Sequence, residues 1–230
     1  MGTVIAVTSG KGGTGKTSIT GGVAASLALM GHRVLCIDMD IGLRNLDITL
    51  GLSDRALMDF SDVALGRCPL ARGAVDHPDV KGLSLLTAPM SLSPSLTIDK
   101  VRAMLDTARG QYDYILIDSP AVLGAGFRLA ICGADRALVI ATNDASSLRD
   151  AQRTVCELES IRQVHLIMNR IQPKLLRKLR ATIDDAMNTA GLPLIGVVPE
   201  DDQVMLAANL GQPLTAQGRR GAALACWNIA

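Results

Sequence analysis

The stretch Gly10-Lys11-Gly12-Gly13-Thr14-Gly15-Lys16-Thr17 decides the fold, because it matches the phosphate-binding pattern G-x-x-x-x-G-K-[ST]. Its glycines allow the backbone to wrap closely enough around a phosphate for the N–H groups to point at the oxygens. Lys16 is placed to reach the β- and γ-phosphates, and the Thr17 hydroxyl can ligate Mg²⁺. An apolar run at 4–8 precedes the pattern and a helical pattern at 17–30 follows it, which is the context that phosphate binding requires. We therefore predict a phosphate-binding loop, with contacts from Gly12, Gly13, Thr14, Gly15, Lys16, Thr17 and Ser18.

Apolar runs alternate with helical patterns along the whole chain, which indicates a parallel sheet with helices on both faces. Candidate strands lie at 4–8, 34–38, 83–87, 114–118, 137–142, 164–169 and 194–198. Helical patterns lie at 17–30, 97–109, 124–133, 145–160, 174–189 and 201–209, and residues 53–82 are expected to be loop with one short helix. The hydrophobic fraction of 48% suits strands that are apolar on both faces. We predict one doubly wound α/β domain over residues 1–230, with a mostly parallel sheet of about seven to eight strands.

Composition argues against several classes of protein. The net charge is +1 and aromatic residues make up 2% of the chain, which gives no general attraction to nucleic acid and few platforms for stacking bases. The five cysteines are scattered without metal-ligand spacing, so reduced thiols are expected. No apolar run approaches the ~18 residues that span a bilayer, and Met1 leads directly into a strand rather than into a signal peptide. We expect a cytoplasmic protein.

Two predicted strands end in aspartate, at the edge of the sheet where ligands bind in such folds. The strand at 114–118 is apolar until Asp118, which can hold Mg²⁺ through water; capping of the following turn is the alternative role. The strand at 34–38 ends at Asp38, and Asp40 follows two residues later, so the pair can share a site for Mg²⁺ and water. The candidate metal ligands are therefore Thr17, Asp38 and Asp118.

Three features of the sequence resemble one known family. Lys11 follows the first glycine of the loop, where an ordinary phosphate-binding loop tolerates almost any residue. Residues 38–47 read D-M-D-I-G-L-R-N-L-D, and residues 118–121 read D-S-P-A. Together they resemble the deviant Walker A ATPases, the MinD/ParA family of P-loop ATPases, over residues 1 to about 220. Residues 38–47 favour the MinD branch, because the ParA branch carries Pro-Gln-Gly after its second Asp.

This resemblance implies ATP or ADP with Mg²⁺ as ligands and an ATP-dependent homodimer. It implies that Lys11 crosses the dimer interface and touches phosphate oxygens bound by the other subunit, where it offsets negative charge in the transition state. It also implies that Asp40 orients the attacking water and that Asp38 supports the metal shell. The catalytic residues would be Lys11, Lys16 and Asp40, in an ATPase that is slow and stimulated by a partner protein.

Two later strand ends would hold the base. Asn169 resembles the family's Asn-Arg, whose amide reads adenine through a paired donor and acceptor, although an Asn at a strand end alone is more often a turn residue. Pro199, Glu200 and Asp201 resemble the Pro-Glu-Asp segment whose backbone borders the base. Because no Asn-Lys-x-Asp for guanine is present, these residues favour ATP over GTP.

The resemblance implies a role in the spatial regulation of cell division and septum placement. It also implies that an activating or effector protein and the inner face of the membrane bind the ATP state. A ParA-like DNA partition ATPase and a flagellar-number regulator are the alternatives within the family. An electron-transfer iron protein and a small-molecule kinase are alternatives that the sequence favours less. DNA is not expected as a partner, because the basic stretch is more simply a solvated helix face: Arg170, Lys174, Arg177, Lys178 and Arg180.

The chain departs from the family in four places. Thr14 stands where valine is more usual in the loop, a change that is expected to be harmless. Residues 122–124 read V-L-G where Gly-Ile-Glu is common, which bears on the response to an activating partner, and residues 142–144 read T-N-D where Thr-x-Pro-Glu is frequent. The sequence stops at Ala230 without the short amphipathic helix with which the MinD branch binds membranes. We expect either that such a helix was cut away or that the membrane is not used in that manner.

Overall fold

The computed structural model describes residues 1–53, 55–179 and 181–230. The strands are β1 Thr3–Thr8, β2 Val34–Asp38, β3 Val75–Asp76, β4 Leu83–Leu86, β5 Tyr114–Asp118, β6 Arg136–Ala141, β7 Gln163–Ile171 and β8 Leu194–Pro199. The helices are α1 Lys16–Leu29, α2 Leu46–Leu50, α3 Phe60–Ala64, α4 Leu70–Gly73, α5 Ile98–Arg109, α6 Ala125–Ile131, α7 Ala145–Cys156, α8 Pro173–Leu179, α9 Ile183–Ala190, α10 Asp202–Asn209 and α11 Gly221–Ile229, with a 3₁₀ turn at Leu214–Gln217. Within the described ranges, no helix combines the length and the apolar character needed to cross a membrane.

The strands form one sheet in the order β3-β4-β2-β5-β1-β6-β7-β8. Every neighbouring pair is parallel except β3 and β4. The predicted doubly wound, mostly parallel sheet is therefore confirmed. Because β1 lies between β5 and β6, the loop that follows β1 emerges at the middle of the carboxyl edge, with the ends of β5 and β2 on one side and those of β6 and β7 on the other.

Apolar side chains on both faces of the strands hold the layers together. On β1, Ile5 and Val7 pack in a buried cluster with α1, whereas Val4 packs in a second cluster on the opposite face with α5. A third cluster lies between β6, β7, α7 and α9. Full burial of each large apolar side chain contributes about 1.5–3 kcal/mol, which explains why these strands are apolar on both faces.

The irregular parts of the chain differ from the sequence predictions. The described residues between 53 and 82 contain two short helices and β3 rather than one helix in a loop. Asp59 and Asp62 form a capping box that begins α3, and α4 follows Pro69. The helix predicted at 174–189 is two helices, because Thr182 and Asp185 form a second capping box that begins α9. The sequence patterns also missed α2 and α11. In α11 the apolar residues surround the helix, so no amphipathic period indicates it.

Candidate active site

The predicted phosphate loop connects β1 to α1 and forms an anion cradle at the start of the helix. Gly13 and Gly15 adopt positive φ angles of 79° and 86°, which only glycine adopts without strain. Gly15 is the N-cap of α1, and the first turn of that helix carries no acidic residue. Its N–H groups and helix dipole therefore favour an anion. A cavity of about 420 Å³ lies over the loop, and Ser9, Lys11–Ser18 and Asp40 are among its lining residues.

Lys16, Thr17 and Asp118 form a largely buried polar cluster beneath this cavity. Lys16 Nζ donates to Asp118 Oδ1 at 2.8 Å, and Thr17 Oγ1 donates to Asp118 Oδ2 at 2.7 Å. The Lys16 side chain is 6% exposed and that of Asp118 is 1% exposed. The carboxylate of Asp118 thus faces α1 rather than the turn that follows β5.

Asp38 lies beside Asp118, because the two residues are register partners on the adjacent strands β2 and β5. Its carboxylate accepts hydrogen bonds from Asp40 N at 2.9 Å and from Leu46 N at 3.1 Å, so it anchors both ends of the loop between them. Burial, with the neighbouring charge of Asp118, raises the pKa of Asp38 to about 7, although the two backbone hydrogen bonds act to lower it. Asp40 lines the phosphate cavity; burial raises its pKa, while the charge of Lys16 opposes that rise.

The donor set fits Mg²⁺ bound together with a nucleotide. Among the residues that the structure describes, no group of three or more His, Cys, Asp or Glu side chains is arranged to hold a metal ion on its own. Mg²⁺ in phosphate sites takes only one or two protein oxygens and completes its shell with phosphate and water. Thr17 Oγ1 and the Asp118 carboxylate supply such oxygens, and two buried carboxylates side by side favour a cation between them and the loop.

Lys11 points away from this cluster and toward the start of α7. Its Nζ donates to Ser146 Oγ at 2.7 Å and pairs with Asp144 Oδ1 at 3.2 Å. Asp144 is the N-cap of α7 and accepts from Ser147 N. Although partial burial acts to raise the pKa of Asp144, hydrogen bonds from Ser146, Thr142 and Ser147 hold it well below its usual value. From the sequence, Asp144 was recognised only as part of a departure from the family. Its place before a predicted helix could have indicated a helix cap, but no sequence pattern indicated its contact with Lys11.

A second cavity, of about 410 Å³, continues from the loop toward α10, and the predicted base-binding residues line it: Asn169, Pro199, Glu200 and Asp201. Asn169 is 5% exposed, and its Nδ2 donates to Thr14 O at 2.7 Å, so one N–H of the amide is engaged by the loop. Asp201 caps α10 through Gln203 N and also accepts from Ala222 N in the first turn of α11. The apolar wall includes Val204, Met205 and Leu214.

The described residues of the basic stretch differ in their surroundings. Arg170 pairs with Glu200 at 3.2 Å and points toward the phosphate loop, whereas Lys174, Arg177 and Lys178 are exposed on α8. Arg180 lies outside the described residues.

Comparison with known proteins identifies the family of this chain. The profile of the CobQ/CobB/MinD/ParA nucleotide binding domain matches residues 5–214. The septum site-determining protein MinD of Helicobacter pylori is 41% identical over 225 residues, which cover 93% of this chain and 84% of that protein. MinD of Bacillus subtilis is 36% identical over 236 residues, which cover all of this chain and 88% of that protein.

Solved structures give the same result. A chain of the MinC:MinD cell division protein complex of Aquifex aeolicus matches with a TM-score of 0.90 and 36% identity, covering 99% of this chain and 93% of that one. MinD complexed with Mg-ADP from Pyrococcus horikoshii matches with a TM-score of 0.86 and 26% identity, covering 100% and 94%. The chain therefore belongs to the CobQ/CobB/MinD/ParA family of nucleotide-binding proteins and is, within it, a MinD-like P-loop ATPase.

Proposed function

We propose that this protein is an ATP-binding and ATP-hydrolysing dimerisation switch that acts in the spatial regulation of cell division and septum placement. The position of Lys11 is the observation that carries this proposal. Lys16 and Thr17 already serve the phosphate cavity from within the chain, whereas Lys11 stands at its mouth, 43% exposed and held by α7. Once it leaves Asp144 and Ser146, a lysine in that place can serve the phosphates of a second copy.

The other residues divide the chemistry of phosphoryl transfer between them. The loop and Lys16 bind the β- and γ-phosphates. Thr17 and Asp118 would hold Mg²⁺, with Asp38 supporting its shell, and the ion would offset charge on the phosphate oxygens. Asp40 lines the same cavity and orients the attacking water. The reaction needs mainly positioning and charge compensation, so a positioned carboxylate with two lysines suffices. Asn169 and the segment from Pro199 to Asp201 border the adenine.

The surface around the cavity mouth supports a partner that covers it. Leu43 and Val122 line the cavity and are 63% and 78% exposed. Met90 is 69% exposed, and it lies near Leu43 because the preceding carbonyl, Pro89 O, accepts a hydrogen bond from Gly42 N. Clustered exposed apolar side chains of this size are typical of interaction surfaces. We propose that a second copy covers the cavity in the ATP state. An activating or effector protein of the division-site system then reads the dimer, which associates reversibly with the inner face of the cell membrane.

Sedimentation velocity in Mg²⁺ with ATP or ADP tests the switch. We expect a dimer with ATP and a monomer with ADP. Lys16→Ala abolishes nucleotide binding and dimerisation, while Asp40→Ala still dimerises with ATP but does not hydrolyse it. Lys11→Ala slows hydrolysis at least about tenfold, because a preorganised charge is lost; Lys81→Ala, a change at another exposed lysine, is the matched control. Hydrolysis by Lys11→Ala at the wild-type rate would show that the trans-lysine mechanism is wrong.

Sedimentation with anionic liposomes tests the proposed readers. Pelleting with ATP–Mg²⁺ and not with ADP–Mg²⁺ supports a nucleotide-switched membrane protein. ATP-dependent retention on nonspecific DNA, lost as the salt concentration rises, would instead favour the ParA-like alternative and remove the membrane from the proposal.

A further inference from the structure

The end of β7 contacts the phosphate loop through two neighbouring side chains. Asn169 Nδ2 donates to Thr14 O at 2.7 Å, and Arg170 Nη1 donates to Gly13 O at 3.3 Å. Two consecutive carbonyl oxygens of the loop are thus bound by two consecutive side chains that lie more than 150 residues away in the sequence, at separations of 155 and 157. Such paired contacts fix a loop more firmly than either contact alone.

An irregularity of the backbone makes this pairing possible. Adjacent residues of a regular strand point to opposite faces of the sheet, so Asn169 and Arg170 would not both reach one loop. Arg170, however, has a φ of 57°, in the left-handed region that non-glycine residues rarely adopt, and the pairing of β7 with β8 shifts register between Met168 and Ile171. Unfavourable backbone conformations of this kind persist where the surrounding contacts hold them, and they cluster at functional sites.

Planarity of the peptide bond converts these contacts into an orientation of the loop N–H groups. In a trans peptide, the C=O of one residue and the N–H of the next point in opposite directions. Holding Thr14 O toward β7 therefore aims Gly15 N–H away from β7, and holding Gly13 O does the same for Thr14 N–H. Both residues line the phosphate cavity, which is where an anion would meet these two donors.

The close approach of Gly15 shows how tightly the amide is seated. A Cβ built on Gly15 would lie 2.3 Å from Asn169 Nδ2, so the amide occupies the space that any other residue at this position would need. On its other side, Arg170 pairs with Glu200 at 3.2 Å, and Glu200 and Asn169 both line the base pocket. The same residues therefore connect the base pocket to the phosphate loop.

We propose that Asn169 and Arg170 are positioning residues for the phosphate loop, and that Asn169 contributes to phosphate affinity whether or not a base is present. This inference rests on the proposed nucleotide site and adds a role to Asn169 beyond reading adenine. A residue that only reads the base would leave the binding of a base-free polyphosphate unchanged. A positioning residue would weaken ATP and the base-free ligand together.

The experiment is calorimetric binding of ATP and of inorganic tripolyphosphate, both with Mg²⁺, to wild type and to Asn169→Leu. Leucine has a similar shape but no donor, so Thr14 O loses its partner. We expect the affinity for tripolyphosphate to fall about tenfold, since loss of a buried hydrogen bond to a loop carbonyl has that order of effect. Asn209→Ala is the matched control, because its Nδ2 also donates to a backbone carbonyl, Met205 O, but on the exposed end of α10. It should bind both ligands as wild type does.

The outcomes separate the inference from the function on which it rests. A weaker ATP complex with tripolyphosphate affinity within about twofold of wild type would overturn the inference, as would unchanged binding of both ligands. If wild-type protein binds neither ligand, the nucleotide site itself is refuted and the positioning role falls with it. Asn169→Ser, which leaves room for water, replaces the leucine variant if thermal melting shows that the latter does not fold. It carries the same expectation.

Discussion

The contact between Lys11 and Asp144 acts as a latch on the lysine that we propose to serve the partner subunit. While Lys11 Nζ lies on Asp144 Oδ1 and Ser146 Oγ, it is unavailable to another chain. Dimerisation must break this contact in both subunits. The informative change is Asp144→Asn, because asparagine keeps the size of the side chain and an oxygen that caps α7 through Ser147 N but loses the charge that holds Lys11.

The size of the effect follows from the exposure of the pair. The side chains of Lys11 and Asp144 are 43% and 50% exposed, and their charged atoms lie 3.2 Å apart. Exposed ion pairs contribute about 0.2–1 kcal/mol each, so release of two latches favours the dimer by about 0.4–2 kcal/mol. At 1.4 kcal/mol per factor of ten, the dissociation constant of the ATP-bound dimer should fall about two- to thirtyfold.

Sedimentation equilibrium with a non-hydrolysable ATP analogue and Mg²⁺ measures this constant. Asp113→Asn is the control, because it breaks a comparable exposed pair, Arg33 with Asp113 at 2.9 Å, before β5 and hence at the opposite edge of the sheet. The gain should also disappear in the Lys11→Ala background, since the double variant has no lysine to release. An Asp144→Asn dimer that is no tighter than wild type would refute the latch.

Two further predictions concern stability. Because the folded-state pKa of Asp38 is raised to about 7, Asp38 favours folding below its unfolded pKa and loses that contribution as pH rises through 7. In EDTA without nucleotide, the melting temperature of wild type should therefore fall from about pH 5 to 8 more steeply than that of Asp38→Asn; parallel curves would contradict this. Asp201→Ala should lower the free energy of unfolding by about 2–3 kcal/mol, because α10 loses its cap and Ala222 N its acceptor. Urea denaturation measures this free energy. The control is Asp202→Ala, a change at the exposed next residue, which should alter the free energy of unfolding by no more than about 0.5 kcal/mol.

The sequence predicted the parts of the site that depend on local order along the chain. The loop and α1 are contiguous with β1, and Asp38 and Asp118 end two apolar strands. Their meeting at one edge follows from the parallel sheet, in which carboxyl ends lie together. Contacts between distant segments could not be predicted in this manner. The contact of Lys11 with Asp144 depends on the position of the start of α7, which follows β6. The contact of Asn169 with Thr14 depends on the irregular end of β7.

Asp38 connects the charge of the site to the loop that carries Asp40. It accepts from Asp40 N and Leu46 N while it lies beside Asp118, whose charge is offset by Lys16 at 2.8 Å. When Lys16 turns to a phosphate, that compensation is lost, and two adjacent buried carboxylates repel each other unless a cation or a proton intervenes. On the proposed function, the site at Thr17 and Asp118 therefore binds the nucleotide together with Mg²⁺ rather than the nucleotide without the ion. Because the carboxylate of Asp38 also anchors residues 40–46, the same electrostatic change reaches the loop that we propose to orient water and to present Leu43 to a partner.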